Sequence, residues 1–208
     1  MSCRKTNKAG TNKADTNKAD ENLAWEEIST EHIVQDQWID FRKSAYRYPD
    51  GRVFEPFYSY SRRDYVVIVA SDTDGNYICV RQFRQGIKEV TTEFPAGGIE
   101  RDDGREYGTT KASEETLEAA KRELMEETGY ASDEWEHLLT IPSNATIADN
   151  YATVYRAKNC RPSGKQNLDE TEVLQIYKYT EDEIESMISE GEFQQAVHVM
   201  AWLLAKGR

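Results

Sequence analysis

The alternation of apolar and polar positions predicts two β-hairpins in the first part of the chain. Residues 38–46 and 53–60 are rich in aromatic side chains, and a Pro-Asp-Gly turn at residues 48–51 separates them. Residues 65–70 and 77–80 are richer in Val and Ile and flank a second turn that contains Asp and Gly. Because such turn residues favour tight chain reversals, each pair of runs is expected to form an antiparallel hairpin.

The second part of the chain combines further strand-like runs with three predicted helices. The longest helix is predicted over residues 113–128, where apolar residues recur at helical spacing, and Gly129 is expected to end it. The remaining strands are predicted at residues 90–94, 136–141, 152–157 and 173–179, and the remaining helices at 181–189 and 193–206. Mixed strands with few helices predict a layered fold of the α/β (α+β) class.

The N-terminal residues differ in composition from the rest of the chain. The unit Thr-Asn-Lys-Ala occurs three times between residues 6 and 20, in a stretch without aromatic or branched aliphatic side chains. Such a stretch cannot bury an apolar face, so residues 1–22 are predicted to form a disordered low-complexity tail. We therefore expect this tail to be followed by a β-hairpin region at residues 23–60 and a main domain at residues 61–208.

Charge and composition exclude several classes of protein. The 208 residues include 26 Lys and Arg against 38 Asp and Glu, so the net charge is −12. This charge has the opposite sign to the surface that binds duplex nucleic acid. No apolar run approaches the roughly 20 residues of a membrane-spanning helix, and no apolar stretch follows the charged N-terminus as in a secretory signal. A cytoplasmic protein is therefore expected, with neither duplex nucleic acid nor membrane as a partner.

Three glutamates of the longest predicted helix are the clearest candidates for chemistry. Glu126 and Glu127 follow Glu123 by three and four positions, so the three carboxylates span about 100° of the helix surface. One interpretation is a solvated acidic face, because most charged runs on helices face water. The other is a hard, oxygen-rich site for Mg²⁺ or Mn²⁺, the cations that an acidic protein needs to hold phosphate.

The residues around these glutamates favour the metal site. Gly108 is followed at the required spacing by Glu114 and then by the run Arg122 to Tyr130, R-E-L-M-E-E-T-G-Y. These positions match the Nudix box, G-x5-E-x7-R-E-U-x-E-E-x-G-U with U bulky and apolar, although Tyr130 is a mild departure. The chain therefore resembles the Nudix hydrolases. The resemblance implies an α/β/α sandwich with a mixed β-sheet, preceded by an N-terminal antiparallel β-hairpin region.

A second motif points to one branch of that family. Residues 93–100, E-F-P-A-G-G-I-E, resemble the E-L-P-A-G segment of the ADP-ribose pyrophosphatases, in which the glycine also begins the box. Here Gly97 lies 17 positions before Glu114 instead of six, which indicates an insertion at residues 101–111. Pro-Ala-Gly is typical of the loop that enters the helix, so Gly97 is expected to be the structural box glycine. Gly108 is the alternative.

The resemblance also implies roles for individual residues. The implied metal ligands are Glu123, Glu126, Glu127, Glu172 and the backbone carbonyl of Ala96. Glu170 is the implied general base, with Glu172 as the competing candidate. The implied substrate contacts are Arg84, Gly98, Ser143, Asn144 and Asn150. Arg84 could instead form an ordinary ion pair on its strand, and the two late glutamates could be solvated loop acids.

The implied activity is metal-dependent hydrolysis of a nucleoside diphosphate sugar, most directly of ADP-ribose to AMP and ribose 5-phosphate. The alternatives are another Nudix substrate, such as a GDP-sugar, another nucleoside diphosphate derivative or an RNA 5′ end, and a non-catalytic nucleotide-sensing module. The implied cofactor is Mg²⁺ or Mn²⁺. The resemblance further implies a homodimer that pairs through residues 36–60, whereas packing of this hairpin on its own chain is the alternative.

Overall fold

A computed structural model describes residues 23–100, 114–170 and 172–207 of the chain. The predicted tail, the 101–111 insertion and Gly108 lie outside these residues. By the contacts within it, the chain divides into two compact units, Met1–Tyr60 and Ser61–Arg208. No helix of the described residues combines the length and the apolar character that crossing a membrane requires.

The first unit is a three-stranded antiparallel sheet with the order β1-β2-β3. Its strands are β1 (Glu26–Gln35), β2 (Asp40–Arg47) and β3 (Val53–Ser61). The predicted hairpin of β2 and β3 is therefore confirmed, and β1 adds a strand that the sequence pattern does not predict. The side chains of β1 are almost all exposed and lack a clear apolar alternation, so pairing with β2, not burial, defines this strand.

The second unit contains a mixed eight-stranded sheet and three helices. Its strands are β4 (Tyr65–Asp72), β5 (Tyr77–Arg84), β6 (Glu89–Glu93), β7 (Ala96–Gly98), β8 (Tyr130–Ala131), β9 (Glu134–Pro142), β10 (Tyr151–Pro162) and β11 (Leu174–Tyr179). Its helices are α1 (Glu114–Thr128), α2 (Glu181–Glu190) and α3 (Ala196–Lys206). The path β11-β5-β4-β10-β8 forms the main order, with β6 beside β5, β7 beside β4 and β9 beside β10. The β4–β10 pair is parallel.

Strand β4 lies at the centre of the sheet and separates two apolar cores. Val66 and Ile68 pack in one core with Leu124 of α1, whereas Val67 packs in the other with Trp202 of α3. Successive side chains of a strand point to opposite faces, which is why the unbroken apolar run of β4 serves both cores. Helices on both faces of a mixed sheet confirm the predicted layered fold.

Helix α1 carries the box glutamates and ends where the sequence predicts. Gly129 adopts a positive φ of 70°, and its N–H donates to the carbonyl of Met125 at 2.7 Å. A left-handed residue of this kind closes a helix and favours glycine. The apolar residues Ala120 and Leu124 are fully buried against the sheet. The carboxylates of the helix therefore lie next to this packed face and are partly shielded from solvent.

Candidate active site

Glu123 and Glu127 of α1 face the short strand β7. Both side chains are buried, with relative exposures of 6% and 2%. The N–H of Ala96 donates to Oε2 of Glu127 at 3.0 Å, and a Cβ on Gly97 would overlap the carboxylate of Glu123. The motif Pro-Ala-Gly is therefore in direct contact with the box glutamates, which supports Gly97 as the box glycine.

Burial sets the ionisation of these two glutamates. Burial raises the pKa of Glu123 to about 7, and the nearby Arg122 only partly opposes this rise. The pKa of Glu127 is also raised well above its usual value by burial, against the hydrogen bond from Ala96. The charges of Glu126 and Glu172 raise the pKa of Glu123 further, and the charges of Glu123 and Glu172 raise the pKa of Glu127 further. A group of carboxylates that repel one another in a buried place has the electrostatics of a cation site.

Arg122 joins the helix to β7. Its guanidinium lies 2.7 Å from both Glu123 and Glu126, and its Nη2 donates to the carbonyl of Gly98 at 2.9 Å. The i,i+4 pair with Glu126 is the one that helical spacing predicts. Glu118, the other glutamate at that spacing, pairs with Lys121 instead. Arg122 thus links the carbonyl of Gly98, an implied substrate contact, to the carboxylates of Glu123 and Glu126.

The acidic loop before β11 is attached to the C-terminal end of α1. The side-chain amide of Gln166 donates to the carbonyl of Glu127, and the N–H of Asn167 donates to the carbonyl of Glu126, each at 2.8 Å. These bonds bring Glu172, which is half-buried, within electrostatic range of the cluster. Glu170 is exposed in the preceding turn. The sequence does not single out these contacts, because a Gln side chain and a backbone N–H in a loop carry no specific signal.

Arg84 belongs to a second charged network, which includes Glu93 and His198 of α3. Its Nε and Nη2 donate to the two carboxylate oxygens of Glu93 at 2.8 and 2.5 Å. Glu93 is fully buried; although burial opposes ionisation, the Arg84 guanidinium holds the pKa of this carboxyl below its usual value. Glu127 also contributes to the raised pKa of Arg84. The ion pair that was the alternative role for Arg84 is therefore present, and about a third of the Arg84 side chain remains exposed.

His198 of α3 completes this network and carries no sequence signal for it. The N–H of Phe94 donates to its Nδ1 at 3.1 Å, and its Nε2 lies 4.0 Å from Glu93. Burial lowers the pKa of His198 to about 4, so the ring is neutral near pH 7. The histidine is a buried packing residue that fixes the segment between β6 and β7.

The loop between β9 and β10 contains the other implied substrate contacts. Asn150 is buried, and its Nδ2 donates to the carbonyl of Arg63 at 3.3 Å. The N–H of Ser143 donates to the carbonyl of Asn150 at 3.0 Å, and within the described residues the buried Ser143 hydroxyl has no hydrogen-bond partner. Asn144 is exposed. Strand pairing places the end of this loop near β7. Ala152, just after the loop, and Gly98 of β7 both pair with Tyr65 of β4, on its two sides.

The ligand chemistry of the cluster fits a hard divalent cation. The candidate donors are the carboxylates of Glu123, Glu126, Glu127 and Glu172, together with the backbone carbonyl of Ala96, and all of them are oxygen atoms. Across residues 23–100, 114–170 and 172–207, no three acidic, His or Cys side chains are already arranged around a common point that could hold an ion. The case for a divalent cation therefore rests on the oxygen donors and on the burial of Glu123 and Glu127, and not on a preformed ligand arrangement.

Comparison with known proteins agrees with this geometry. The family model of the NUDIX domain matches residues 61–203. The chain is 30% identical over 139 residues to a methanol dehydrogenase activator of Bacillus methanolicus, covering 65% of this chain and 68% of that protein. It is 27% identical over 132 residues to an ADP-ribose pyrophosphatase of Bacillus subtilis (strain 168), covering 63% of this chain and 65% of that protein, slightly under two thirds.

A solved structure shows the same fold over almost the whole chain. The crystal structure of an ADP compounds hydrolase superposes with a TM-score of 0.73 at 20% identity, covering 89% of this chain and 94% of that chain. At this identity the likeness establishes the fold alone. Together with the match of the domain family to most of the chain, it leads to one conclusion: the chain belongs to the Nudix hydrolase family.

Proposed function

We propose that this chain is a metal-dependent hydrolase of the diphosphate linkage in an ADP-sugar, with ADP-ribose as the substrate. The observation that carries the proposal is the pair of buried glutamates, Glu123 and Glu127, in contact with the Pro-Ala-Gly segment. Purely solvated helix acids would lie in water with ordinary pKa values, whereas burial raises the pKa values of both glutamates. Such carboxylates suit a divalent cation and, through it, an anionic substrate.

The residues of the chain divide the reaction between them. The four carboxylates of the cluster and the Ala96 carbonyl would hold Mg²⁺ or Mn²⁺, which supplies charge neutralisation for the diphosphate when bound. Glu170 takes a proton from the attacking water as the water oxygen bonds to phosphorus, and the bridging oxygen leaves with the other phosphate. One water is consumed, and AMP and ribose 5-phosphate form. Glu172 is the competing candidate for the base.

Arg84 and the 143–150 loop would hold the substrate. Glu93 fixes the guanidinium of Arg84 by two hydrogen bonds, so this cation is preorganised and remains partly exposed for a phosphate or ribose oxygen. Gly98, Ser143, Asn144 and Asn150 are proposed to complete the substrate contacts. The choice of an ADP-sugar is supported by the relative named ADP-ribose pyrophosphatase.

A substrate panel with separated products tests the proposal. Purified protein would be incubated with Mg²⁺ or Mn²⁺ and with ADP-ribose, a GDP-sugar, another nucleoside diphosphate derivative or RNA with a 5′ phosphoanhydride. Release of AMP and ribose 5-phosphate from ADP-ribose, abolished by a chelator, is the expected result. Faster turnover of another substrate would reassign the specificity. Binding of ADP-ribose without any turnover on the panel would favour the nucleotide-sensing alternative.

A further inference from the structure

The loop between β10 and β11 packs directly on the residue that ends α1. A Cβ on Gly129 would lie 2.7 Å from the carbonyl oxygen of Gly164 and 3.4 Å from the backbone nitrogen of Gln166. The first distance is too short for any side-chain carbon, so a larger residue at position 129 would displace the loop. The N–H groups of Ser163 and Gly164 donate to the carbonyl of Gly129 at 2.9 and 3.1 Å. The loop is therefore seated on the end of the helix that carries the box glutamates.

Two further donors of the loop reach the backbone of the box glutamates themselves. The side-chain Nε2 of Gln166 donates to the carbonyl of Glu127, and the N–H of Asn167 donates to the carbonyl of Glu126, each at 2.8 Å. The last carbonyls of a helix have no partner within the helix, so the loop satisfies groups that α1 cannot satisfy itself. The bonds from the loop to residues 126 and 129 come from backbone N–H groups, whereas the bond to Glu127 depends on the side chain of Gln166.

The same loop leads into a turn that orients Glu172. The N–H of Glu172 donates to the carbonyl of Asp169 at 2.9 Å, and the Glu172 carboxylate accepts from the N–H of Asp169 at 3.2 Å. Asp169 follows Gln166 by only three positions, so the place of this turn depends on how the loop is attached to α1. The charge of Glu172 raises the pKa values of both Glu123 and Glu127, which agrees with a carboxylate held near theirs.

We infer that Gln166 is a positioning residue that holds Glu172 within reach of the cation at the carboxylate cluster. The inference rests on the proposed function, because it takes Glu172 and the box glutamates as the cation site. The negative charges of Glu123 and Glu127 repel that of Glu172, so the loop needs an attachment that opposes this repulsion. A neutral amide donor supplies the attachment without adding a positive charge that would compete with a metal ion for the carboxylates.

The chain offers a matched control in the neighbouring residue. Gln166→Met keeps the length of the side chain and removes the donor to Glu127. Asn167 also carries a side-chain amide and is also exposed, but its bond to Glu126 comes from the backbone N–H, which Asn167→Ala retains. Both variants are expected to melt within a few degrees of the wild type, because one exposed hydrogen bond contributes little to the free energy of unfolding.

Titration calorimetry with Mn²⁺ tests the inference. Gln166→Met is expected to weaken Mn²⁺ binding about 3- to 10-fold, the change that corresponds to one lost hydrogen bond, and Asn167→Ala should match the wild type. In a Glu172→Gln background the effect of Gln166→Met should disappear, because no charged ligand is then left for Gln166 to position and residues that act together are not additive. A general loss of stability would instead weaken binding in both backgrounds.

Hydrogen exchange of the metal-free protein, measured by NMR, gives a second readout. The N–H of Asn167 is bonded to the carbonyl of Glu126 and is expected to exchange about 3- to 10-fold faster in Gln166→Met, because the neighbouring attachment is lost and the loop opens more often. The N–H of Gly129, bonded to Met125 within the end of α1, should exchange at the rate of the wild type.

The outcomes separate this inference from the proposed function. If the wild type binds Mn²⁺ but cleaves no ADP-ribose, the proposed function fails, and weaker Mn²⁺ binding by Gln166→Met that depends on Glu172 still supports the role of Gln166. The role of Gln166 is wrong if Gln166→Met equals Asn167→Ala in Mn²⁺ affinity, if its effect persists in full beside Glu172→Gln, or if the exchange of the Asn167 N–H is unchanged. A wild type that binds no Mn²⁺ overturns both.

Discussion

Gly97 has no room for a side chain because the carboxylate of Glu123 lies where its Cβ would be. The two residues are 26 positions apart in the sequence, and their contact joins β7 to α1. Any substituent on Gly97 must displace the glutamate or the strand. This contact explains in physical terms why a glycine stands at this place in the Pro-Ala-Gly segment.

Gly97→Ala is therefore expected to destabilise the fold by about 1–3 kcal/mol, the usual cost of overpacking, and to abolish most hydrolysis. The measurements are denaturant unfolding and turnover of ADP-ribose. Gly86→Ala is the matched control, because nothing lies within 4 Å of a Cβ at Gly86. Gly108→Ala should keep most activity if Gly97 is the box glycine; the reverse result for Gly97 and Gly108 would contradict that assignment.

Glu127→Gln should fold and lose most activity. The amide keeps the shape of the side chain and removes a buried charge, and the loss of one ligand in a phosphoryl-transfer site is expected to cost several kcal/mol, or about a thousandfold in turnover. Thermal melting adds a second readout. Mg²⁺ or Mn²⁺ should raise the melting temperature of the wild type by ligand binding and have a much smaller effect on the variant. Unchanged turnover at saturating Mg²⁺ would contradict the assignment of Glu127 as a metal ligand.

Kinetics of the variants Glu170→Gln and Glu172→Gln should show which of the two glutamates is the general base and which is a metal ligand. A base acts as the transition state forms, so Glu170→Gln is expected to lower kcat by about 10²- to 10⁴-fold with little change in metal or substrate affinity. Glu172, which is half-buried and lies near the cluster, should chiefly change the metal concentration needed for activity. If Glu172→Gln alone loses kcat, the two roles are reversed.

If neither Gln variant changes kcat, the base lies elsewhere in the chain. The acidic residues of the 101–111 segment are then the next candidates. The same kinetic comparison, made on Gln or Asn variants of that segment, would identify the residue.

The three-stranded first unit is predicted to pair two copies of the chain. A three-stranded sheet depends on a hydrophobic face for its stability, and this one leaves large apolar side chains exposed, among them Trp38 at 63%, Trp25 at 46% and Tyr58 at 46%. Light scattering at micromolar concentration should give about twice the mass of 23.9 kDa. A monomer mass would end this prediction. Trp38→Ser is expected to weaken the dimer, because it removes the most exposed of these aromatic residues.

His198 should make the folded state sensitive to acid. Burial lowers its pKa from 6.5 to about 4 in the folded chain, so between these values the unfolded chain binds the additional proton. The free energy of unfolding therefore rises with pH across this window and falls on acidification, by about 3 kcal/mol in total from this group. Urea unfolding at several pH values should show this slope, and His198→Gln should reduce it. An unchanged slope would contradict the burial of a neutral imidazole.

The sequence by itself determined the elements whose patterns are local. Helical spacing places Glu123, Glu126 and Glu127 on one face, Gly129 ends their helix, and the Val- and Ile-rich run at residues 65–70 predicts a strand, which is β4. These features depend on residues a few positions apart, so they can be derived from helix and strand periodicity alone. The family resemblance rests on the same local spacing.

Only the tertiary structure decided which distant residues meet. Phe94 and His198 are 104 positions apart, and Ala96 and Glu127, 31 positions apart, meet only because α1 packs against β7. Likewise, the sequence does not show that Arg84 gives two of its donors to Glu93. Strand pairing and helix docking fix such contacts, and their free energy depends on the burial and charge of partners that no local pattern contains. For this reason the sequence predicts the carboxylates, and only the fold shows which side chains and backbone groups surround them.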